Sequence, residues 1–268
     1  MSDYLRPRDV VRLRTELTRS FSRPDMRQGL EGWLAHRRRT DPDPDTVSWM
    51  AEVVVDALGR SALYLVAGEM IDLVNHASAT LPDYRLHWDD VPAPEGLCCF
   101  PKPIRVDDFG YAAFSWFRVS GRSGDGGVGL VWWFRPQDHE YYNPRGGYGA
   151  PLLPVRHYVQ YVDEHWQRTD HGADAGGTDL PSWNATLWRL VGEEWVDIAR
   201  RIPETTRRGV PRANPEVDTV RVVTLRQPPS EPGRSTGGSV DSSHRWWVTG
   251  HWRQQWYPSQ GRHAPRWI

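Results

Sequence analysis

Lysine is all but absent from this chain: Lys102 stands alone among 33 basic residues, and the rest are arginine. So uniform a choice points to a GC-rich coding sequence before it points to function. Cysteine is nearly as scarce. Cys98 and Cys99 are adjacent in an apolar run, and neighbouring residues rarely satisfy disulfide geometry, so both are expected as buried thiols in a reducing compartment. No paired-cysteine spacing of a zinc site exists. Nothing approaches eighteen uninterrupted apolar residues, which excludes a membrane-spanning helix. The N-terminus is polar and arginine-rich, without the apolar segment of a secretory signal. A cytoplasmic protein with no membrane association is expected.

Catalytic signatures are missing too. The sequence has no Gly-rich phosphate loop, no HExxH and no nucleophile elbow. Their absence removes most NTPases, zinc proteases, Rossmann enzymes and serine hydrolases, and no cofactor is expected. His139-Glu140 and Asp163-Glu164-His165 carry metal-capable side chains, but neighbours on a strand point to opposite faces, so they read as surface polar residues. Asp89-Asp90 and Asp107-Asp108 read as turn and cap residues, and no metal site is assigned.

What is present is an ordinary globular balance of 38% hydrophobic and 25% charged residues, with 12% aromatics raised by fifteen tryptophans. The length of 268 residues allows one large domain or two small ones. The net charge of −1 conceals basic ends, since residues 1–39 and 200–268 are arginine-rich and the middle is acidic. Either the ends fold back on the middle or they face a polyanion.

Residues 7–21 begin with Pro7 at a first helical position and place Val10, Leu13, Leu17 and Phe21 on one stripe. Residues 25–38 group Met26, Leu30, Trp33 and Leu34 and end in His36-Arg37-Arg38-Arg39, a cluster that suits a helix C-terminus as well as a nucleic-acid contact. TDPDPDT at 40–46 reads as a rigid linker. A basic N-terminal helical arm and linker over 1–44 is therefore expected, ahead of an α+β domain over 45–268. That domain opens with helices over 47–58 and 61–80. Prolines then make the chain extended from residue 81 and lead into a strand near 96–101. Strands are expected at 111–119, 128–135 and 155–163, with a Gly- and Tyr-rich loop at 141–151. Trp183, Leu187, Leu190, Val191, Trp195, Ile198 and Ile202 recur at threes and fours and predict a helix over 181–202 that needs a sheet to cover. A strand at 217–226 and a polar connection at 227–243 complete the run. The fold class is α+β: N-terminal helices followed by a mostly antiparallel β-sheet packed against a long amphipathic helix.

The stretch His244–Ile268 stands apart. It packs five tryptophans, four arginines and three histidines into 25 residues, with no Asp or Glu. Period-two reading predicts a strand over 244–256, with Trp246, Val248, Gly250, Trp252 and Trp256 on a buried face. Arg245, Trp247, His251, Arg253 and Gln255 then share the other face. Arginine forks suit phosphate, and Trp247 offers a base a stacking surface. The candidate nucleic-acid contacts are Arg245, Trp247, Gln255, Arg262, His263 and Arg266. His251 and Arg253 are the candidate catalytic pair, since a proton-transfer group beside a cation is the minimum for a metal-independent ribonuclease. The leading expectation is binding of single-stranded nucleic acid, RNA favoured. A toxin-type ribonuclease and a protein-interaction module using the Trp-rich edge are the alternatives. A plain structural edge, with tryptophans in the core and charge guarding against aggregation, also fits.

Two blocks, LPDYRLHWDDVPAPEGLCCFPKPI at 81–104 and VTGHWRQQWYPSQGRHAPRWI at 248–268, resemble a family of uncharacterised proteins from actinobacteria, their phages and mobile elements. Its members similarly place a Pro-rich segment before a sheet and finish in a GHWRxQ…WI segment, here Gly250, His251, Trp252, Arg253, Gln255, Trp267 and Ile268. The family continues past Trp-Ile with a short basic Lys-Gly-Pro extension, so this chain reads as a form without it. The resemblance implies a mobile-element context and no particular reaction.

Overall fold

The computed structural model describes residues 5–37, 44–82, 86–106, 109–120, 126–136, 150–161, 180–202, 218–226 and 250–268. Helix α1 (Pro7–Phe21) starts at a proline whose missing N–H is no loss there, and Asp9 accepts the Arg6 backbone N–H at 2.8 Å. Its stripe of Val10, Leu17 and Phe21 is buried. Helices α2 (Pro24–Arg37) and α3 (Pro44–Arg60) follow.

The single helix expected over 61–80 is corrected to a strand, β1 (Ala62–Val66), and a helix, α4 (Gly68–Ser78). Leu63, Tyr64, Leu65 and Val66 are all buried. A strand covered on both faces reads as an unbroken apolar run, which has no period to separate it from a helix. After a 3-10 turn at Trp88–Asp90 come β2 (Gly96–Val106), β3 (Phe109–Ser120), β4 (Gly126–Phe134) and β5 (Leu153–Tyr161), overlapping the four strands predicted there.

The helix expected over 181–202 is also corrected. Helix α5 (Leu180–Val191) ends where the Gly192 N–H turns back to the Arg189 carbonyl at 3.2 Å, and β6 (Val196–Arg201) follows. Last come β7 (Val220–Leu225), β8 (Trp252–Tyr257) and β9 (Arg262–Trp267).

Among the described residues, seven strands form one mixed sheet in the order β5-β4-β3-β2-β1-β7-β6, and β8 and β9 form a separate two-stranded sheet. β1 runs parallel to β2 and β7; the other pairs are antiparallel. Alternate residues feed two cores, as a two-faced sheet requires. Leu63, Leu65, Leu97, Cys99, Val131 and Trp133 join residues of α1, α2 and α3 on one face. Tyr64, Val66, Cys98, Phe114, Trp116 and Trp132 join α4, α5 and Trp267 on the other. Val10, Leu17, Phe21, Met26 and Leu30 thus tie α1 and α2 to the sheet, and the buried Arg14 guanidinium pairs with Asp218 beside β7 at 2.5 Å.

Cys98 and Cys99 are free, buried and on opposite sides of the sheet. Burial pushes the Cys99 thiol up to about 12 and Cys98 well above the usual thiol range. No helix among the described residues is long and apolar enough to cross a membrane.

Candidate functional site: the C-terminal hairpin

The strand expected over 244–256 begins, within the described residues, at Trp252, and a second strand pairs with it. Pro258 to Gly261 make the turn, and Gly261 takes a φ of 61°, a left-handed conformation that glycine adopts without steric cost. His251 and Ile268 extend the ladder, exchanging N–H···O bonds at 2.9 and 3.0 Å. The two ends of the GHW…WI segment are therefore one structural unit. The register sets Trp252 opposite Trp267, Arg253 opposite Arg266, Gln255 opposite Ala264, Trp256 opposite His263 and Tyr257 opposite Arg262.

One face of the ribbon docks by its tryptophans. The Trp252 and Trp267 rings meet edge to face at 5.3 Å, and Trp267 meets His76 of α4 at 6.0 Å. The Trp252 indole N–H donates to the Ala77 carbonyl at 2.8 Å. Gly250 lies against the Trp267 ring, where a Cβ would come within 2.4 Å of its nitrogen.

The opposite face docks by charge. Asp90, with a side chain only 2% exposed, accepts Arg189 Nη1 at 2.6 Å and Arg262 Nη2 at 2.9 Å. Its second oxygen accepts Arg262 Nη1 and the His87 backbone N–H, so the cap role expected of Asp90 holds while a second role is added. Arg189 also clasps the Pro265 carbonyl through Nε and Nη2 at 3.1 and 2.8 Å. Arg266 donates to Glu193 at 3.1 Å and to Gln255 at 3.3 Å. Burial pushes the Glu193 carboxyl above its ordinary range, against the pull of Arg266 and Arg189.

These contacts redistribute the predicted site. Arg245 and Trp247 lie outside the described residues. Arg262 and Arg266, expected as nucleic-acid contacts, are engaged by carboxylates that come from far away in the chain, Asp90 and Glu193. Gln255 orients Arg266. His251, Arg253 and His263 are exposed. Trp256 is corrected from buried to 49% exposed: on its face of the ribbon the docking contacts are made by Trp252 and Trp267, while the Trp256 ring rests on His263 at 5.1 Å. His251 lies opposite Ile268 and His263 opposite Trp256, five positions away, so the two histidines form no acid–base pair. Among the described residues, no three His, Cys, Asp or Glu side chains gather as a metal would need.

Two cavities flank the hairpin. One of about 860 Å3 lies between α4 and the ribbon, with Leu73, Trp195, Leu225 and Trp267 as apolar walls and Glu69, Asp72 and the Glu193-paired Arg266 as its charged lining. The other, about 360 Å3, holds Asp90, Arg189, Glu193 and Tyr257. Asp90, Arg189 and Glu193 escaped sequence reading, since nothing local marks them as partners of the terminal strand.

No model of a known protein family matches the chain, and no curated protein is similar to it.

Proposed function

We propose that this is a cytoplasmic, mobile-element-related protein that binds single-stranded nucleic acid, RNA in preference, over the outward part of the C-terminal hairpin. The observation that carries the reading is Trp256: a large indole half exposed near a ribbon tip, backed by His263. Bases from a single strand stack on such a surface without regard to sequence. Arg253 and His251 are exposed and make no ion pair among the described residues, and Arg253 supplies a phosphate contact. Arg253 and Trp256 point to opposite sides of the ribbon, so the ligand rounds its edge, which a flexible single strand can do and a duplex cannot. The experiment is filter retention of labelled single-stranded RNA in EDTA at low salt. Wild type should retain it, Trp256→Ala and Arg253→Ala should each weaken retention about tenfold, and His251→Asn should change it little. Absence of retention by wild type would overturn the reading.

The larger cavity favours a second reading, a small ligand with an apolar body and a cationic head. Trp195 and Trp267 would face the body, with Glu69 and Asp72 near the cation. Phenethylamine is a suitable probe. A thermal shift in wild type that is lost in Glu69→Gln/Asp72→Asn supports it, and no shift at millimolar probe removes it.

A further inference from the structure

Among the described residues, strand β6 forms one edge of the seven-stranded sheet, with β7 on its inner side. It carries an unusual outer row: Asp197, Arg200 and Arg201 are exposed, Ile198 is 36% exposed, and Ile202 just beyond is 55% exposed. The backbone there has a defined polarity. The Arg226 N–H donates to the Trp195 carbonyl at 2.8 Å, so Trp195, Asp197, Ala199 and Arg201 direct their backbone groups to β7. Val196, Ile198, Arg200 and Ile202 direct theirs outward. Neither Asp197 nor Arg201 has an ion-pair partner among the described residues. Two arginines would repel a generic strand from this edge, but not a strand that brings an acid to the matching position.

We propose that β6 pairs with β6 of a second copy of this chain, antiparallel about a two-fold axis at Ala199, continuing the sheet across two molecules. In this register the outward-directed residues form the hydrogen-bonded pairs, Val196 with Ile202 and Ile198 with Arg200. Asp197 then lies opposite Arg201, twice over by symmetry, in the closely spaced pairing with Cα atoms about 4.5 Å apart. Neighbouring symmetric registers also respect backbone direction. Centred on Ile198, the pairing sets Arg200 against Val196 and Arg201 against Trp195, so neither arginine meets an acid; centred on Asp197 or Arg200, it sets a like charge against itself. Charge selects the first. Because the contact is a strand edge rather than a face, the dimer is weak and concentration-dependent.

Sedimentation velocity of the full chain over a concentration series should show mass rising from monomer toward dimer. Asp197→Arg should hold the protein monomeric, and Asp197→Arg with Arg201→Asp should restore association. Ala199→Cys should give a disulfide-linked dimer on mild oxidation, because a self-opposed closely spaced pair falls within disulfide reach. Asp56→Cys, exposed on α3, serves as the control. Circular dichroism confirms that each variant is folded. A wild type that stays monomeric, with Ala199→Cys linking no better than the control, overturns the proposal. So does a charge swap that fails to restore association, or linking at Ile198→Cys in preference to Ala199→Cys, which would part Asp197 from Arg201.

Discussion

Arg262 and Asp90 stand 172 residues apart and are joined by hydrogen bonds of 2.9 and 3.3 Å, with 14% of one side chain and 2% of the other exposed. Arg189 shares the same carboxylate. Removing that acid strands two guanidiniums in a nearly dry setting. Asp90→Ala should cost about 3–5 kcal/mol, read from urea unfolding. A loss below about 1 kcal/mol would mean that water reaches the network.

Gly250→Ala should destabilise the protein by about 1–3 kcal/mol, because the new methyl group meets the Trp267 ring and overpacks the joint. Gly68→Ala is the matched control, with nothing within 4 Å of the added carbon. Equal melting temperatures for the two variants would show that the hairpin simply shifts aside.

The two tryptophans of β8 should separate in a stability assay. Trp252→Ala loses an indole packed on Trp267 and hydrogen-bonded to Ala77, at a cost of about 3 kcal/mol. Trp256→Ala removes a half-exposed ring and should cost clearly less, about 1 kcal/mol or below. Losses of the same size would contradict the docking described.

Deleting residues 1–39 should abolish cooperative unfolding, since Val10, Leu17, Phe21, Met26 and Leu30 are buried beneath the sheet and Asp218 would lose Arg14. A sharp unfolding transition in the truncated protein would show the helices to be dispensable.

The buried thiols give a pH dependence of definite sign. The unfolded chain releases thiol protons from about pH 8.5, whereas the folded chain holds the Cys99 proton to about 12. The folded state binds more protons in that window, so stability falls as pH rises, by up to about 1.4 kcal/mol per unit for each thiol. Cys99→Ala should flatten the slope between pH 8.5 and 10.5 relative to wild type. Unchanged slopes would show that the thiol is not shielded.

Where local periodicity carried the information, the sequence was readable. Helix α1 and strands β2 to β5 alternate or repeat within a dozen residues, and their predicted spans overlap those observed. Failures fell where two rules agree on the wrong answer. Trp195, Ile198 and Ile202 continue the spacing of α5 by coincidence, yet Gly192 ends the helix and those residues belong to β6 or its flanks. Leu63 to Val66 has no periodicity because both its faces are covered. At the hairpin, the strand and the packing of Trp252 against the core were legible, but the exposure of Trp256 and the chemistry of Arg262 and Arg266 were not. Their carboxylates are distant in sequence, and nothing near a residue announces a partner a hundred positions away.

The hairpin's anchors also set an order of assembly during synthesis. Ala77 and Asp90 leave the ribosome first, Arg189 later, and Arg262 later still. At elongation rates of about 5–20 residues per second the interval between Arg189 and Arg262 is roughly 4–15 s. For that time the face of α4 and α5 lacks its cover. A nascent chain halted before residue 250 would present an aromatic surface to its neighbours, so products truncated there belong with the chaperones and proteases, whereas a chain that carries the hairpin closes over itself.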